Sequence, residues 1–113
     1  MRRLILFKLF IQLTFSIVLA VFCTDLFAKD IVVEIYKKKF IPATITVAPG
    51  DKVIWKNIEK RQYHNVWFKQ FYQEEPDYLF PGDSYEQEFN DVGEFPYECG
   101  PHPKMTGVVI VKK

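Results

Sequence analysis

The side chains best suited to hold a metal ion are scarce in this chain, and most of them lie in one short segment. The sequence of 113 residues contains two His, two Cys and two Met, and the run CGPHPKM brings together Cys99, His102 and Met105. The second histidine, His64, lies far upstream. Thiolate, imidazole and thioether donors suit copper or zinc better than hard cations. The segment therefore predicts a metal site, provided that the fold brings His64 to it.

The N-terminal segment, residues 1–28, has the pattern of a secretory signal peptide. Arg2 and Arg3 begin it, an apolar run covers 9–22, and the small residue Ala28 ends it. We expect cleavage after Ala28 and export to the periplasm. An uncleaved membrane anchor is the alternative, but the apolar run is shorter than the roughly 20 residues that a spanning helix needs.

The mature domain, residues 29–113, is small and nearly neutral. Its 85 residues suffice for one domain with a single core. Without the signal segment the chain has twelve Lys or Arg and thirteen Asp or Glu, which is a formal net charge of −1. This balance argues against a nucleic-acid-binding surface. The basic run 37–39 is interpreted as a solvated turn, with docking of an acidic partner as the alternative.

The cysteine count favours a metal over a disulfide. Cys23 and Met1 leave with the signal segment, so Cys99 is the only Cys and Met105 the only Met of the exported domain. A single Cys has no intramolecular disulfide partner. An inert, buried thiol is the alternative for any Cys considered alone. Small exported domains commonly depend on disulfides or metals, however, and we therefore interpret Cys99 as a metal ligand.

Short strands separated by Pro and Gly turns dominate the mature domain. The runs APGD (48–51) and PGDS (81–84) have the composition of turns. Residues 69–80 are predicted to form a surface excursion with one helical turn. The pattern predicts an all-β fold, a Greek-key β-sandwich, with helix only in the signal segment. Alternation of apolar and polar residues predicts strands over 31–36, 43–47, 52–56, 63–68, 84–89, 95–99 and 106–113.

The segment between the last two predicted strands is suited to hold its donors in place. Cys99 ends one strand, the turn GPHPK carries His102, and Met105 begins the return strand. Pro101 and Pro103 leave the turn with few free dihedral angles. Ligands held in this way change position little when the metal changes its oxidation state. The loop therefore favours a redox role for the metal.

From Ile45 to the C-terminus the chain resembles the cupredoxins, the plastocyanin and azurin family, and within it the amicyanin and pseudoazurin types. The spacing Cys-x-x-His-x-x-Met is the amicyanin-like loop length. The resemblance covers roughly 70 of the 85 mature residues. The matching stretches are PGD (49–51) followed by KVIWKN, HNV (64–66), PGDSYEQEF (81–89), VGEF (92–95) and C-x-x-H-P-x-M (99–105).

This resemblance implies a single type 1 copper ion and assigns its ligands. His64, Cys99 and His102 are the expected equatorial ligands, and Met105 is the expected weak axial ligand. Two neighbouring residues are expected to tune the site without binding the metal.

The first of these tuning residues is Asn65. Its backbone N–H is expected to point at the thiolate, and its side chain is expected to tie the two ligand loops together. The second is Pro101, which removes an N–H from the loop, so a single N–H···S bond is expected, from Asn65. One departure from the family is Gly100, where relatives often carry a Thr that stiffens the loop.

The function implied by the resemblance is blue copper electron transfer in the periplasm, without an enzymatic reaction. Single electrons would pass through His102, the ligand nearest to solvent, in an apolar patch with Pro101 and Pro103. The expected partner is a transiently bound redox protein, such as a periplasmic dehydrogenase, cytochrome or oxidase. We expect a monomer, with no small-molecule substrate and no nucleic acid.

Three alternatives use the same residues. A periplasmic copper carrier or buffer would deliver the metal without cycling it. A fragment of a multicopper oxidase or a copper nitrite reductase would need further copper centres, which two histidines cannot supply. A zinc site with one Cys and two His ligands has no redox role but is chemically feasible.

Overall fold

The computed structural model describes residues 27–113, and the predicted signal peptide lies almost entirely outside this range. The described part is all-β, as predicted, and it contains no helix long and apolar enough to cross a membrane. Its strands are β1 (Asp30–Tyr36), β2 (Lys39–Ile41), β3 (Thr44–Val47), β4 (Asp51–Asn57), β5 (Ser84–Phe89), β6 (Gly93–Glu98) and β7 (Thr106–Val111).

The strands form two sheets that face each other. The first sheet has the order β2-β1-β4-β5 and the second has the order β3-β7-β6. β1 runs parallel to β4, with Val33 opposite Trp55, and β3 runs parallel to β7, with Ile45 opposite Val109. The remaining neighbours are antiparallel. Each parallel pair joins strands that are distant in sequence, which is the crossing pattern of the Greek-key sandwich that the sequence predicts.

Alternation along each strand explains how the core forms. In β4 the side chains of Val53, Trp55 and Asn57 point inward and are fully or almost fully buried. The Trp55 ring lies at the centre and contacts the rings of Phe68 and Tyr97 edge-on, with centroid distances of 5.9 Å and 5.4 Å. Such edge-to-face contacts stabilise aromatic clusters beyond their buried area. The two sheets therefore share one core, and this core fixes the positions of the strand ends relative to one another.

The prediction of a strand over 63–68 is wrong, and the reason is topological. Two isolated bridges occur instead, between His64 and Leu79 and between Trp67 and Glu98. The segment passes from the β5 side of the first sheet to β6 of the second, so it changes partner before a ladder can extend. The helical turn predicted within 69–80 is reduced to a turn in which the Phe71 and Tyr72 N–H groups both donate to the Phe68 carbonyl at 2.9 Å.

Candidate metal centre

The strand ends bring three predicted donors together at one end of the sandwich. β6 leads directly into Cys99, and β7 begins just after Met105. The loop between them, residues 99–105, is called the short ligand loop below. The connection from β4 to β5, residues 58–83, carries His64 and is called the long ligand segment. Both leave the sandwich at the same end, because β4 and β6 run towards that end and β5 and β7 run away from it.

Two imidazole nitrogens converge on one sulfur. The Nδ1 atoms of His64 and His102 each lie 3.6 Å from the Sγ atom of Cys99, and the three donor atoms are all within 4.8 Å of one another. Bonds of about 2.0 Å to nitrogen and about 2.3 Å to sulfur, at angles between tetrahedral and trigonal, need an N···S separation of about 3.5–3.7 Å. Both N···S distances therefore match those that a shared metal ion requires.

Hydrogen bonds within the short ligand loop fix its shape. The Cys99 N–H donates to the Met105 carbonyl at 3.0 Å, the His102 N–H donates to the Cys99 carbonyl at 3.2 Å, and the Met105 N–H donates to the His102 carbonyl at 2.9 Å. Met105 itself is buried against the core, with 5% of its surface exposed. The loop thus orders its three donor residues relative to one another by local bonds.

The comparisons with known proteins identify the metal. Residues 28–112 match the copper binding proteins of the plastocyanin/azurin family. This chain is a cupredoxin. It is 36% identical over 92 residues to an amicyanin from Paracoccus versutus, covering 78% of this chain and 69% of the relative. Copper is therefore the cofactor of the family to which this chain belongs, and the donor set fits it.

Solved structures support the same assignment. The crystal structure of amicyanin from Paracoccus versutus superposes with a TM-score of 0.68 and 35% identity, over 78% of this chain and 86% of that one. A copper-containing nitrite reductase from Thermus scotoductus gives a TM-score of 0.67 at 22% identity and is covered over only 22% of its length. The reductase shares the fold of this cupredoxin, and the likeness carries no argument for a shared activity.

His64 is held from the side opposite the sulfur. Its ring is fully buried, and its Nε2 atom lies 3.4 Å from the Oε1 atom of Glu59, whose side chain is only 10% exposed. Burial lowers the pKa of His64, and the Glu59 carboxylate opposes that effect. A carboxylate at Nε2 favours the tautomer with its proton on that atom, which leaves Nδ1 free to bind a metal.

Glu59 is a residue of the site that the sequence pattern does not reveal. It lies in the polar run NIEKRQ, which looks like an ordinary solvated connection. The structure shows that its Oε1 atom also accepts the backbone N–H of Lys38 at 2.9 Å. The carboxylate therefore joins the turn between β1 and β2 to the buried histidine.

The Cys99 thiol is fully buried, and burial raises its pKa. The backbone N–H groups of Asn65 and His102 act in the opposite direction, while the carboxylates of Glu75 and Glu98 raise the pKa further. The single N–H···S bond expected from Asn65, with Pro101 supplying no N–H, stays a prediction, and the His102 N–H donates to the Cys99 carbonyl at 3.2 Å.

The Asn65 side chain ties the two ligand segments together, as expected from the family. Its Oδ1 atom accepts the Gly100 N–H at 2.6 Å, and its Nδ2 atom donates to the Glu75 carboxylate at 3.0 Å and the Pro76 carbonyl at 3.2 Å. A Cβ atom on Gly100 would collide with the Glu75 carboxylate. Gly100 thus makes room for Glu75, which the sequence pattern also does not reveal and which stiffens this corner of the site.

The exposed part of the centre is the edge of His102. The side chain is half-buried and lines a cavity of about 380 Å³ together with Lys38, Pro103, Lys104 and Met105. His64 and Cys99 have no exposed surface. Any molecule that approaches the centre from solvent therefore meets His102 first.

Proposed function

We propose that this cupredoxin is a periplasmic type 1 copper protein that carries single electrons. His64, Cys99, His102 and Met105 would hold the copper ion. The observation that carries the proposal is the convergence of two imidazole Nδ1 atoms on one buried thiol sulfur, each at 3.6 Å. Copper bound to this donor set alternates between two oxidation states and gives or takes one electron at a time.

The residues of the chain serve this role by limiting movement. Three of the four ligands lie in the short ligand loop, which has two prolines and three internal backbone hydrogen bonds. Asn65 connects that loop to the long ligand segment, and Glu59 fixes the ring of His64. A site that is rigid before and after the electron arrives needs little reorganisation, which keeps electron exchange fast. His102 provides the route because its edge is the part of the centre that reaches solvent.

The cellular setting follows from the N-terminus and the lone cysteine. The signal-peptide pattern of residues 1–28 supports export with cleavage after Ala28, and a single buried Cys in an exported domain is protected when it binds a metal. The partners we propose are redox proteins that dock transiently over His102. The electron moves between proteins, and no bond of a substrate is made or broken.

The decisive experiment is the colour of the copper-loaded protein. The full chain is expressed in a bacterium, recovered from the periplasm, sequenced from its N-terminus and loaded with Cu(II). We expect Lys29 as the first residue and the intense blue of a Cu(II)–thiolate bond, which Cys99→Ser abolishes while the fold is retained. A colourless copper-loaded protein would refute the type 1 site.

Redox cycling separates an electron carrier from a copper carrier or buffer. Ascorbate should bleach the blue protein and hexacyanoferrate(III) should restore the colour, with one electron per copper and no loss of metal over many cycles. Release of copper on reduction would favour the delivery role. Zinc fits the same donor distances, so the metal content of the protein recovered from cells is measured in parallel.

A further inference from the structure

The turn between β1 and β2 has an unfavourable backbone for the residues that occupy it. Lys37 and Lys38 have φ angles of 52° and 56°, which lie in the left-handed region. A residue with a Cβ atom is disfavoured there, and two-residue hairpin turns of this kind prefer Asn-Gly. Two lysines at these positions therefore lower the stability of the hairpin. Strain that is retained at one place in a fold is a reason to look for a function there.

The strained turn is attached to the copper site. The Lys38 N–H donates to Glu59, the same carboxylate that faces His64. The Lys38 side chain lines the cavity that exposes the edge of His102, and Lys104 lines it too. Both lysines are exposed, and neither forms an ion pair with a carboxylate of residues 27–113. Two unpaired positive charges thus border the solvent-facing ligand.

Negative charge lies at the other end of the short ligand loop. The exposed Glu75 reaches the Asn65 amide beside Gly100, and Glu74 and Asp77 are exposed neighbours of Glu75 in the sequence. The copper end of the molecule is therefore positive on the side of the hairpin and negative on the side of Gly100. Because residues 29–113 have a formal net charge of only −1, attraction of a partner must come from this local separation of charge.

We propose that Lys38 and Lys104 form a basic docking lip that receives an acidic surface of the redox partner and places it over His102. The inference rests on the proposed electron-transfer function and specifies its partner. An acidic patch is attracted to the lip and repelled by the carboxylates near Gly100, so the partner is oriented as well as attracted. Charges at the edge of an interface act chiefly on the rate of encounter and its dependence on salt.

The first test measures docking in the absence of electron transfer. A peptide of ten glutamates is added to the ¹⁵N-labelled Cu(I) protein at low salt, and backbone amide shifts are followed by NMR. We expect shifts confined to residues 37–39 and 102–104 that disappear at high salt. Lys38→Glu combined with Lys104→Glu should abolish them. Shifts spread over the whole surface, or unchanged in the double variant, would overturn the proposal.

A matched control makes the same change in net charge at a site far from the lip. Lys112 is exposed and follows β7 at the end of the sandwich opposite the copper site. Lys112→Glu combined with Lys113→Glu lowers the net charge by the same amount as the double variant of the lip. The control should bind the peptide nearly as well as the original protein, and equal losses in both double variants would show that only net charge matters.

The second test measures the rate of electron transfer to small reagents of opposite charge. The Cu(I) protein gives one electron to hexacyanoferrate(III), an anion, or to tris(phenanthroline)cobalt(III), a cation, and stopped-flow absorbance follows the return of the blue colour. At low salt the double variant of the lip should react about tenfold more slowly with the anion and no more slowly with the cation. Equal slowing with both reagents would overturn the proposal. If the protein never turns blue, the proposed function fails, and the peptide test still decides the docking surface.

A turn replacement separates charge from structure. Lys37→Asn with Lys38→Gly supplies the residues that this turn prefers and removes the Lys38 charge of the lip. We expect this variant to melt at a higher temperature than the original protein and yet to bind the glutamate peptide more weakly. A higher melting temperature with unchanged peptide binding would show that the lysines have no docking role.

Discussion

The two segments that supply the copper ligands are held by different means. The short ligand loop is ordered by hydrogen bonds among its own residues, from Cys99 to Met105. The long ligand segment is held around His64 by contacts between residues far apart in sequence: His64 pairs with Leu79, its ring faces Glu59, and Asn57 of β4 binds the carbonyls of Gln62 and Leu79. A loop ordered locally tolerates distant changes, whereas a segment ordered by distant contacts fails when any of them is lost.

The largest expected effect comes from breaking the anchor of the long ligand segment at Asn57. This buried side chain donates to the carbonyls of Gln62 and Leu79 at 2.9 Å and 2.8 Å and accepts the Glu59 N–H at 3.0 Å. Asn57→Ala leaves the Gln62 carbonyl and the Glu59 N–H without this partner and leaves the Leu79 carbonyl with only the His64 N–H, and we expect the free energy of unfolding to fall by about 3 kcal/mol. Urea unfolding of the Cu(I) protein measures it.

The matched control for Asn57 is Asn90, which is exposed. Asn90→Ala should change the free energy of unfolding by no more than about 0.5 kcal/mol. In the Asn57→Ala variant, amide exchange should accelerate in the long ligand segment and stay slow in the short ligand loop. Equal acceleration in both would show that the two segments are not held independently.

The second prediction concerns Glu59, which orients His64 through its Nε2 atom. Glu59→Ala removes that contact and the bond to the Lys38 N–H, so we expect copper affinity to fall about 10–100-fold. Competition with a chelator measures the affinity. Glu59→Gln keeps an oxygen for both contacts and should lower the copper affinity less. Glu88→Gln, on the exposed surface of β5, should leave the copper affinity unchanged. A Glu59→Ala variant with full affinity would mean that burial alone fixes His64.

The sequence reveals the short ligand loop because everything that shapes it is contiguous. Cys99, His102 and Met105 lie within one run, two prolines mark its turns, and the flanking strands alternate regularly. The position of the loop and the identity of its donors therefore follow from the sequence alone. Its finer electrostatics do not, since the effect of the Glu75 carboxylate on the pKa of Cys99 depends on the fold placing Glu75 beside Gly100.

The long ligand segment is harder to predict because its partners are distant in sequence. The run 63–68 alternates like a strand, but a strand needs one partner along its length, and this run has two. Glu59 and Glu75 look like surface acids until the fold places them beside His64 and Gly100. One signal was present for Asn57: alternation in β4 puts it on the buried face with Val53 and Trp55, where a polar side chain needs partners.

The third prediction concerns Glu75, which binds the side chain of Asn65, the residue that joins the two segments. Glu75→Gln keeps an oxygen that can accept from Asn65 but removes a negative charge near the centre. Because that charge favours Cu(II) over Cu(I), its loss should raise the reduction potential, by an amount equivalent to about 1 kcal/mol or less. Voltammetry at low and high salt measures the potential, and the difference should shrink as salt screens the charge. Glu94→Gln, in β6 near its far end, is the control and should leave the potential unchanged.

The smallest expected effect lies at the end of the sandwich opposite the copper site. It tests whether the difference between the two ligand segments depends only on contacts at the copper end. The Asp51 carboxylate accepts the N–H groups of Lys29 and Ala48, both at 2.9 Å, and these bonds lower its pKa from the ordinary 3.8. A lowered folded-state pKa adds stability that is complete above the unfolded value and is lost as pH falls through the folded value. Asp51→Asn should therefore reduce the free energy of unfolding at pH 7 by about 0.5–1 kcal/mol, and the difference from the original protein should narrow below about pH 4.

Urea unfolding between pH 3 and pH 7 measures this difference, with the exposed Asp91→Asn as the control. Asp51 begins β4 at the far end, whereas Asn57 ends the same strand beside the ligands. The blue colour and reduction potential of Asp51→Asn should therefore match those of the original protein at neutral pH. A shift of the reduction potential in this variant would mean that β4 transmits a change at Asp51 along its length to the copper site. The two ligand segments would then depend on the whole sandwich and not only on contacts at its copper end.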